Sequence, residues 1–153
     1  MEGITMKKYF LSAAMILSAA NPAWAAELTP GNLVGRYKVE ARAGFQKVYA
    51  NFRVVNTTEF EVQRTYPNGN VDEVCNGTFN LLSSVSWDEE FLIMAAKKNF
   101  KGSFTCPSDR SKEISFNIDF GTTTTDDLAR GTSVSLTSSI APGMRLNAYV
   151  KKQ

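Results

Sequence analysis

The side chains that most often carry catalysis are scarce in this sequence. Its 153 residues contain no histidine and only two cysteines, Cys75 and Cys106. Histidine is the commonest general base and a common metal ligand, and triad-type hydrolases depend on it. The chain also lacks a glycine-rich phosphate loop and a dinucleotide-binding motif. The composition therefore argues against hydrolases of the triad type and against nucleotide-dependent enzymes.

Carboxylate pairs are the remaining groups that could do acid–base chemistry, since glycosidases need only two of them. They occur at positions 72–73, 88–90 and 126–127, all in or beside predicted turns. Clusters of this kind are usually solvated loop charge. Residues 121–131, GTTTTDDLARG, lack the spaced oxygen ligands of an EF-hand loop, which predicts a plain connection. We therefore predict a protein that is not an enzyme and has no metal or cofactor.

The two cysteines stand in mirrored surroundings, VCNGTFNL around Cys75 and NFKGSFTCP before Cys106. In an exported chain such a pair predicts one disulfide, worth about 3–4 kcal/mol by the loop-entropy relation. If the cysteines face each other on antiparallel strands, Gly77 lies opposite Phe104 and Phe79 opposite Gly102, so that large residues meet small ones. A further strand between the two segments would make this pairing impossible.

The first 25 residues have the layout of a secretory signal peptide. Lys7 and Lys8 precede an apolar run, which ends at an Asn-Pro break before Ala23, Trp24 and Ala25. The run is shorter than the roughly 20 residues that a membrane-spanning helix needs. Met6 is an alternative start. We predict cleavage after Ala25 and a soluble bacterial protein that is periplasmic or secreted, with residues 26–153 forming one domain.

Alternation of apolar and polar residues recurs along the predicted domain, with short turns between the segments. In EISFNIDF it puts Ile114, Phe116, Ile118 and Phe120 on one face. Eight such strands predict an all-β fold, a small antiparallel up-and-down barrel of calycin or lipocalin-like architecture. A β-sandwich is the alternative, and an outer-membrane barrel is a weaker one because the chain ends in YVKKQ. Residues 88–98 fit either a strand, slightly favoured, or a short helix.

The segment LVGRY at the start of the predicted domain resembles the G-x-W opening of lipocalin-type barrels, with Tyr37 where that motif has tryptophan. The resemblance covers three residues and bears on the fold alone. In an eight-stranded barrel the apolar faces either fill the interior or surround a small-ligand cavity. The aromatic residues predicted to line such a cavity are Tyr37, Phe52, Phe60, Phe79 and Phe116.

Surface recognition is the second functional hypothesis. Arg64, Tyr66 and Trp87 lie near predicted turns or strand ends and are of the types that dominate protein interfaces. The net charge of +2 gives no electrostatic reason to expect nucleic acid as a partner. We predict a binding protein whose barrel interior or mouth takes a small apolar or amphipathic ligand. The alternative is a loop-mediated module that binds a protein, such as an enzyme inhibitor, or an envelope component; the partner and the oligomeric state stay open.

Overall fold

The computed structural model describes residues 26–89 and 93–153, so the predicted signal peptide lies outside the described residues. Within these ranges the chain forms eight strands and two short helices. The strands are β1 (Gly35–Ala43), β2 (Gln46–Val54), β3 (Glu59–Thr65), β4 (Cys75–Asp88), β5 (Ile93–Cys106), β6 (Asp109–Gly121), β7 (Thr132–Ser138) and β8 (Leu146–Lys152), and the helices are α1 (Pro30–Leu33) and α2 (Thr125–Arg130).

The strands form one closed antiparallel barrel in sequence order. Each strand pairs with the next, and β1 pairs with β8 through the register Val39 to Val150. The predicted up-and-down barrel is thereby confirmed. The sandwich alternative is wrong, because a sheet that closes on itself leaves no two separate sheets to face each other.

The apolar faces predicted from alternation point into the barrel. On β6, Ile118 and Phe120 are 9% and 6% exposed and belong to the core, while Glu113 on the other face is exposed. On β8, Ala148 and Val150 are buried, and Met144, which precedes the strand, is 51% exposed. The alternation of apolar and polar residues therefore identifies the residues of these strands that face the core.

Two short helices close one end of the barrel. Leu28, Leu33 and Leu128 lie there, each 1% exposed. Helix α2 corrects the plain connection predicted for residues 121–131. Its start is fixed by a capping box in which the Thr124 hydroxyl accepts from the Asp127 N–H and the Asp127 carboxylate accepts from the Thr124 N–H. The sequence contains this capping pattern, but the N-cap residue is one of several consecutive threonines, which made the start of the helix hard to recognise.

The cysteine-bearing segments are neighbours, as predicted. Cys75 and Cys106 form a disulfide with their Cα atoms 4.4 Å apart. The register places Gly77 opposite Phe104 and Phe79 opposite Gly102. No further strand intervenes, because β5 runs without interruption from Ile93 to Cys106. For residues 88–98 the favoured strand is confirmed at Asp88 and from Ile93 onward, while 90–92 lie outside the described residues.

Strands β4 and β5 are longer than the barrel needs. Both have 14 residues, against seven to nine in β1, β2, β3, β7 and β8. The ladder to β3 ends at the pair of Glu59 with Thr78, and the ladder to β6 ends at the pair of Lys98 with Gly121. Beyond these pairs, residues 84–88 and 93–97 pair only with each other. This two-stranded extension, the β4–β5 arm, is about 15 Å long at 3.3 Å per residue.

Candidate functional site

The four phenylalanines predicted to line a cavity lie inside the barrel, where their rings and that of Phe100 form one cluster. The Phe52 and Phe60 rings stack at 5.0 Å between centroids, and the Phe60 and Phe116 rings meet edge to face at 5.4 Å. The Phe79 ring stacks at 4.4 Å on Phe100, which is 1% exposed. Sequence reasoning omitted Phe100, although its alternation with Gly102 pointed to the same face. At this level the aromatic rings pack against one another as a core.

Two glycines make room for these rings. A Cβ atom added at Gly102 would lie 2.8 Å from Cζ of Phe116, and one added at Gly77 would lie 2.7 Å from Cζ of Phe60. The rings that lie closest to the glycines thus come from β3 and β6. The predicted partner Phe104 also contacts Gly77, since its Cβ atom lies 2.8 Å from the added one, whereas Phe79 is not among the nearest neighbours of Gly102. Phe79 is turned instead toward Phe100, on which it stacks. Each glycine is needed because a neighbouring ring already fills its side-chain space.

Tyr37 performs a structural task at the closed end. It is 3% exposed, and its hydroxyl donates a hydrogen bond of 2.6 Å to the carbonyl oxygen of Leu33 at the end of α1. Burial raises the pKa of the Tyr37 hydroxyl to about 12, because the charged form loses its hydration. The phenol therefore stays neutral and joins α1 to the barrel wall.

The opposite end, called the mouth below, is apolar and less covered. Val48 faces inward but is 36% exposed, and its partner on β1 is the short Ala41. In the turns at the same end, Phe45 is fully exposed, and Ile140 and Met144 are more than half exposed. The mouth therefore offers apolar surface to solvent.

The β4–β5 arm carries the interior face of β4 beyond the barrel. The alternation Phe79, Leu81, Val85, Trp87 places these side chains on one side of β4, since successive residues point to opposite faces. Phe79 is buried in the barrel, but Val85 is 62% and Trp87 53% exposed. The same apolar face that forms the core is thus uncovered on the arm.

The three predicted surface residues do not form one surface. The Arg64 guanidinium lies 4.9 Å from the Tyr66 ring centroid, and the Tyr66 hydroxyl donates to Oδ2 of Asp72 at 2.9 Å. That hydrogen bond to a carboxylate raises the pKa of Tyr66. Arg64 lies near the end of β3, and Tyr66 and Asp72 lie in the β3–β4 connection at the mouth end, whereas Trp87 lies on the arm at the other end. The structure therefore groups Arg64 with Tyr66 and separates both from Trp87.

Several acidic residues that the structure describes have structural partners. Among the described residues, Glu73, Cys75 and Cys106 lie close enough to hold a metal, but both sulfur atoms are in the disulfide and Glu73 Oε1 accepts from the Ser108 N–H at 3.2 Å. Asp127 caps α2, and the hydrogen bond from the Thr124 N–H lowers its pKa. A carboxyl group held ionised in this way is a poor general acid.

Comparison of the chain with protein-family models, with curated proteins and with solved structures finds no match. In the described part of the chain, none of the helices has the length and apolar character required to cross a membrane.

Proposed function

We propose that this chain is an exported, non-catalytic binding protein, and that it recognises a polypeptide by pairing one strand of the partner with the free edge of β4 in the arm. The observation that carries the proposal is the uncovered apolar alternation of Val85 and Trp87 beside a strand edge that no described strand occupies. Strand addition of this kind combines main-chain hydrogen bonds with side-chain contacts at every second residue.

The direction of the backbone N–H and C=O groups on β4 supports the binding of a partner strand at this edge. The Cα separation of 4.4 Å at Cys75 and Cys106 is typical of a pair that does not exchange hydrogen bonds. Alternation along the ladder then directs the N–H and C=O groups of the odd-numbered residues away from β5. The Phe79 N–H follows this rule, since it donates to the Thr58 carbonyl at 2.9 Å. The same groups of Val85 and Trp87 therefore face the free edge.

The two edges of the arm differ in charge. On β5 the free edge includes Lys97, and the next residue, Lys98, ends the ladder to β6 and has its Nζ 3.7 Å from Oε2 of Glu27. Edge lysines oppose the addition of a further strand. Positions 80–87 of β4 contain no charged residue, and the charged residue at the end of this strand, Asp88, is acidic. The β4 edge is therefore the one suited to a partner strand.

The experiment places a photo-crosslinking amino acid at Trp87 in the full-length gene, expressed in a bacterium that exports the protein. We expect a discrete adduct after irradiation, and no adduct when the crosslinker is at Lys101 on the outer wall of the barrel. An adduct with the mass of two chains would identify the partner strand as a second copy. Equal adducts from both positions would mean that the arm is not a specific surface.

A proline variant tests strand addition directly. Val85→Pro removes the N–H that faces the free edge and leaves the arm ladder intact, because only even-numbered residues bond to β5. Val85→Thr retains this N–H and serves as the matched control. Loss of the Trp87 adduct in the proline variant alone supports strand addition. Retention of the adduct in both variants would disprove it.

Export rests on the signal-peptide pattern and on the disulfide, which persists in oxidising compartments. Intact-mass measurement of protein from the periplasm and from the culture medium tests this part. We expect a chain that begins at Ala26 and is two hydrogens lighter than the reduced form. A chain with residues 1–25 attached would contradict the proposed processing.

Uptake of a small apolar ligand at the mouth is the second candidate function. It is favoured by the exposure of the inward-facing Val48 together with Phe45 and Ile140 on the rim. The test is titration with N-phenyl-1-naphthylamine, whose fluorescence rises in an apolar site. Val48→Trp should fill the mouth and abolish the rise, while Trp substituted for the exposed Val71 should not. A fluorescence rise of the same size in Val48→Trp as in the parent protein would refute binding at the mouth.

A further inference from the structure

Four basic residues lie on neighbouring positions of the outer wall formed by β8, β1 and β2. This wall lies across the barrel from the arm. Arg36 is the register partner of Arg53, and Lys38 is the register partner of Lys151. They point outward, because Tyr37 between Arg36 and Lys38 is buried inside. We call these four residues the basic wall cluster.

The cluster is unfavourable for the barrel itself. Like charges directly opposite each other on neighbouring strands destabilise a sheet. Within the described residues only Arg53 of the four has an ion pair, at 3.8 Å to Oε2 of Glu61. Two residues beyond Lys38 on β1 the charges are balanced, since Glu40 pairs with Arg42 at 3.5 Å and Lys47 at 3.4 Å. The uncompensated charge is therefore local to the cluster.

A concavity of about 470 Å³ adjoins the cluster. Arg36, Lys38 and Arg53 line it together with Asn51, Glu61 and Gln63. The Nε2 of Gln63 already donates to the Asp72 carbonyl at 3.0 Å, which leaves its Oε1 free to accept. The volume lies within the range of small-molecule sites. Cationic groups at one side and hydrogen-bonding groups at the other thus share one hollow.

We propose that this hollow binds a phosphorylated sugar. Arg36, Lys38 and Arg53, the three members of the basic wall cluster that line the hollow, hold the phosphate, because guanidinium forks and ammonium groups make strong charge-assisted bonds to its oxygens. Glu61 and Gln63 accept hydrogen bonds from sugar hydroxyls, and Asn51 can both donate and accept. The bound phosphate offsets the repulsion within the cluster, which accounts for charges that the barrel alone would not favour. This site is separate from the arm, and the inference does not depend on the proposed function.

The test is calorimetric titration of the disulfide-bonded protein with glucose 6-phosphate, glucose and inorganic phosphate. We expect saturable binding of glucose 6-phosphate, weaker binding of phosphate and none of glucose. Arg36→Gln and Lys38→Gln should each weaken binding about tenfold, which is the loss of one charge-assisted hydrogen bond. Lys101→Gln makes the same change in net charge beside neutral Asn80 and Asn117, and should leave the affinity unchanged.

A second readout separates a binding site from a structural role. Lys38→Gln relieves the repulsion from Lys151, so it should raise the thermal midpoint of the free protein while it weakens ligand binding. A lower midpoint would mean that Lys38 serves the fold and would overturn the inference. Absence of glucose 6-phosphate binding, or equal losses in Lys38→Gln and Lys101→Gln, would also overturn it. Binding only to phosphatidylglycerol vesicles would assign the cluster to a lipid surface and make the sugar-phosphate proposal wrong.

Discussion

Phe60 and Gly77 are register partners on β3 and β4, and the Phe60 ring occupies the space that a side chain at position 77 would need. A Cβ atom there would also lie 2.1 Å from the backbone oxygen of Ser103. The ring is free to fill the centre of the barrel only because its partner has no side chain. This pairing makes the packing of the aromatic core sensitive to a single methyl group.

Gly77→Ala should therefore lower the free energy of unfolding by about 2–3 kcal/mol, the usual cost of overpacking a core. Urea denaturation with the disulfide intact measures the loss. Gly31→Ala in helix α1 is the control. The atom nearest to its added Cβ, Oγ1 of the N-cap residue Thr29, lies 4.0 Å away, so the methyl group causes no clash. We expect a change of less than about 0.5 kcal/mol there. Similar losses in both variants would contradict the close approach of Phe60 to Gly77.

The disulfide closes a sequence separation of 31 residues. The double variant Cys75→Ser, Cys106→Ser should be less stable by about 3–4 kcal/mol, because its unfolded chain is less restricted. Urea midpoints measured with and without dithiothreitol test this. Reductant should destabilise the parent protein to the level of the variant and leave the variant unchanged. If dithiothreitol left the urea midpoint of the parent protein unchanged, the disulfide would not have a stabilising role.

Tyr37 should make stability depend on alkaline pH. Its pKa is raised to about 12 in the folded protein, whereas an unfolded chain releases the proton near 10. The contribution is fully present below about pH 10 and is lost as the pH rises toward about 12, by about 2–3 kcal/mol in total. Urea midpoints measured across this interval should show a smaller decline in Tyr37→Phe. That variant also loses the hydrogen bond to Leu33, about 1 kcal/mol at neutral pH. An identical decline of the urea midpoint in the parent protein and in Tyr37→Phe would mean that a group other than Tyr37 causes it.

Trp87 should contribute little to the stability of the barrel, because it is half exposed on the arm. We expect Trp87→Ser to change the free energy of unfolding by less than about 0.5 kcal/mol. Phe100→Leu, at the centre of the aromatic core, should cost about 1–3 kcal/mol by comparison. Urea denaturation followed by far-UV circular dichroism measures both variants. A large loss in Trp87→Ser would show that the arm supports the fold and would weaken its assignment as a binding surface.

The fold was predictable because alternation and turn residues act locally, and because the two cysteines bring two distant segments together. The mirrored glycine and phenylalanine residues around Cys75 and Cys106 were sufficient to predict the register of β4 and β5. The arm was not predictable in the same way. Val85 and Trp87 resume the alternation of Phe79 and Leu81 after Ser83, and the place where the barrel ends is decided by where the ladders to β3 and β6 stop.

The basic wall cluster was hidden for a different reason. Arg36 and Lys38 are far along the chain from Lys151, and the net charge of +2 suggests no charged surface. The closing pair of β1 with β8 brings Lys38 beside Lys151. A local concentration of charge of this kind becomes visible only when the register around the whole barrel is known.

Among the ladders that residues 26–89 and 93–153 form, the pairing of β1 with β8 is the one that joins strands distant in sequence. A chain that is synthesised from its N-terminus can form the ladders from β1 to β7 as each strand emerges. The edges of β1 and β7 stay open until Leu146–Lys152 becomes available. The last strand to emerge thus protects the first, and a chain that stops before Leu146 would present two unpaired edges to other nascent chains.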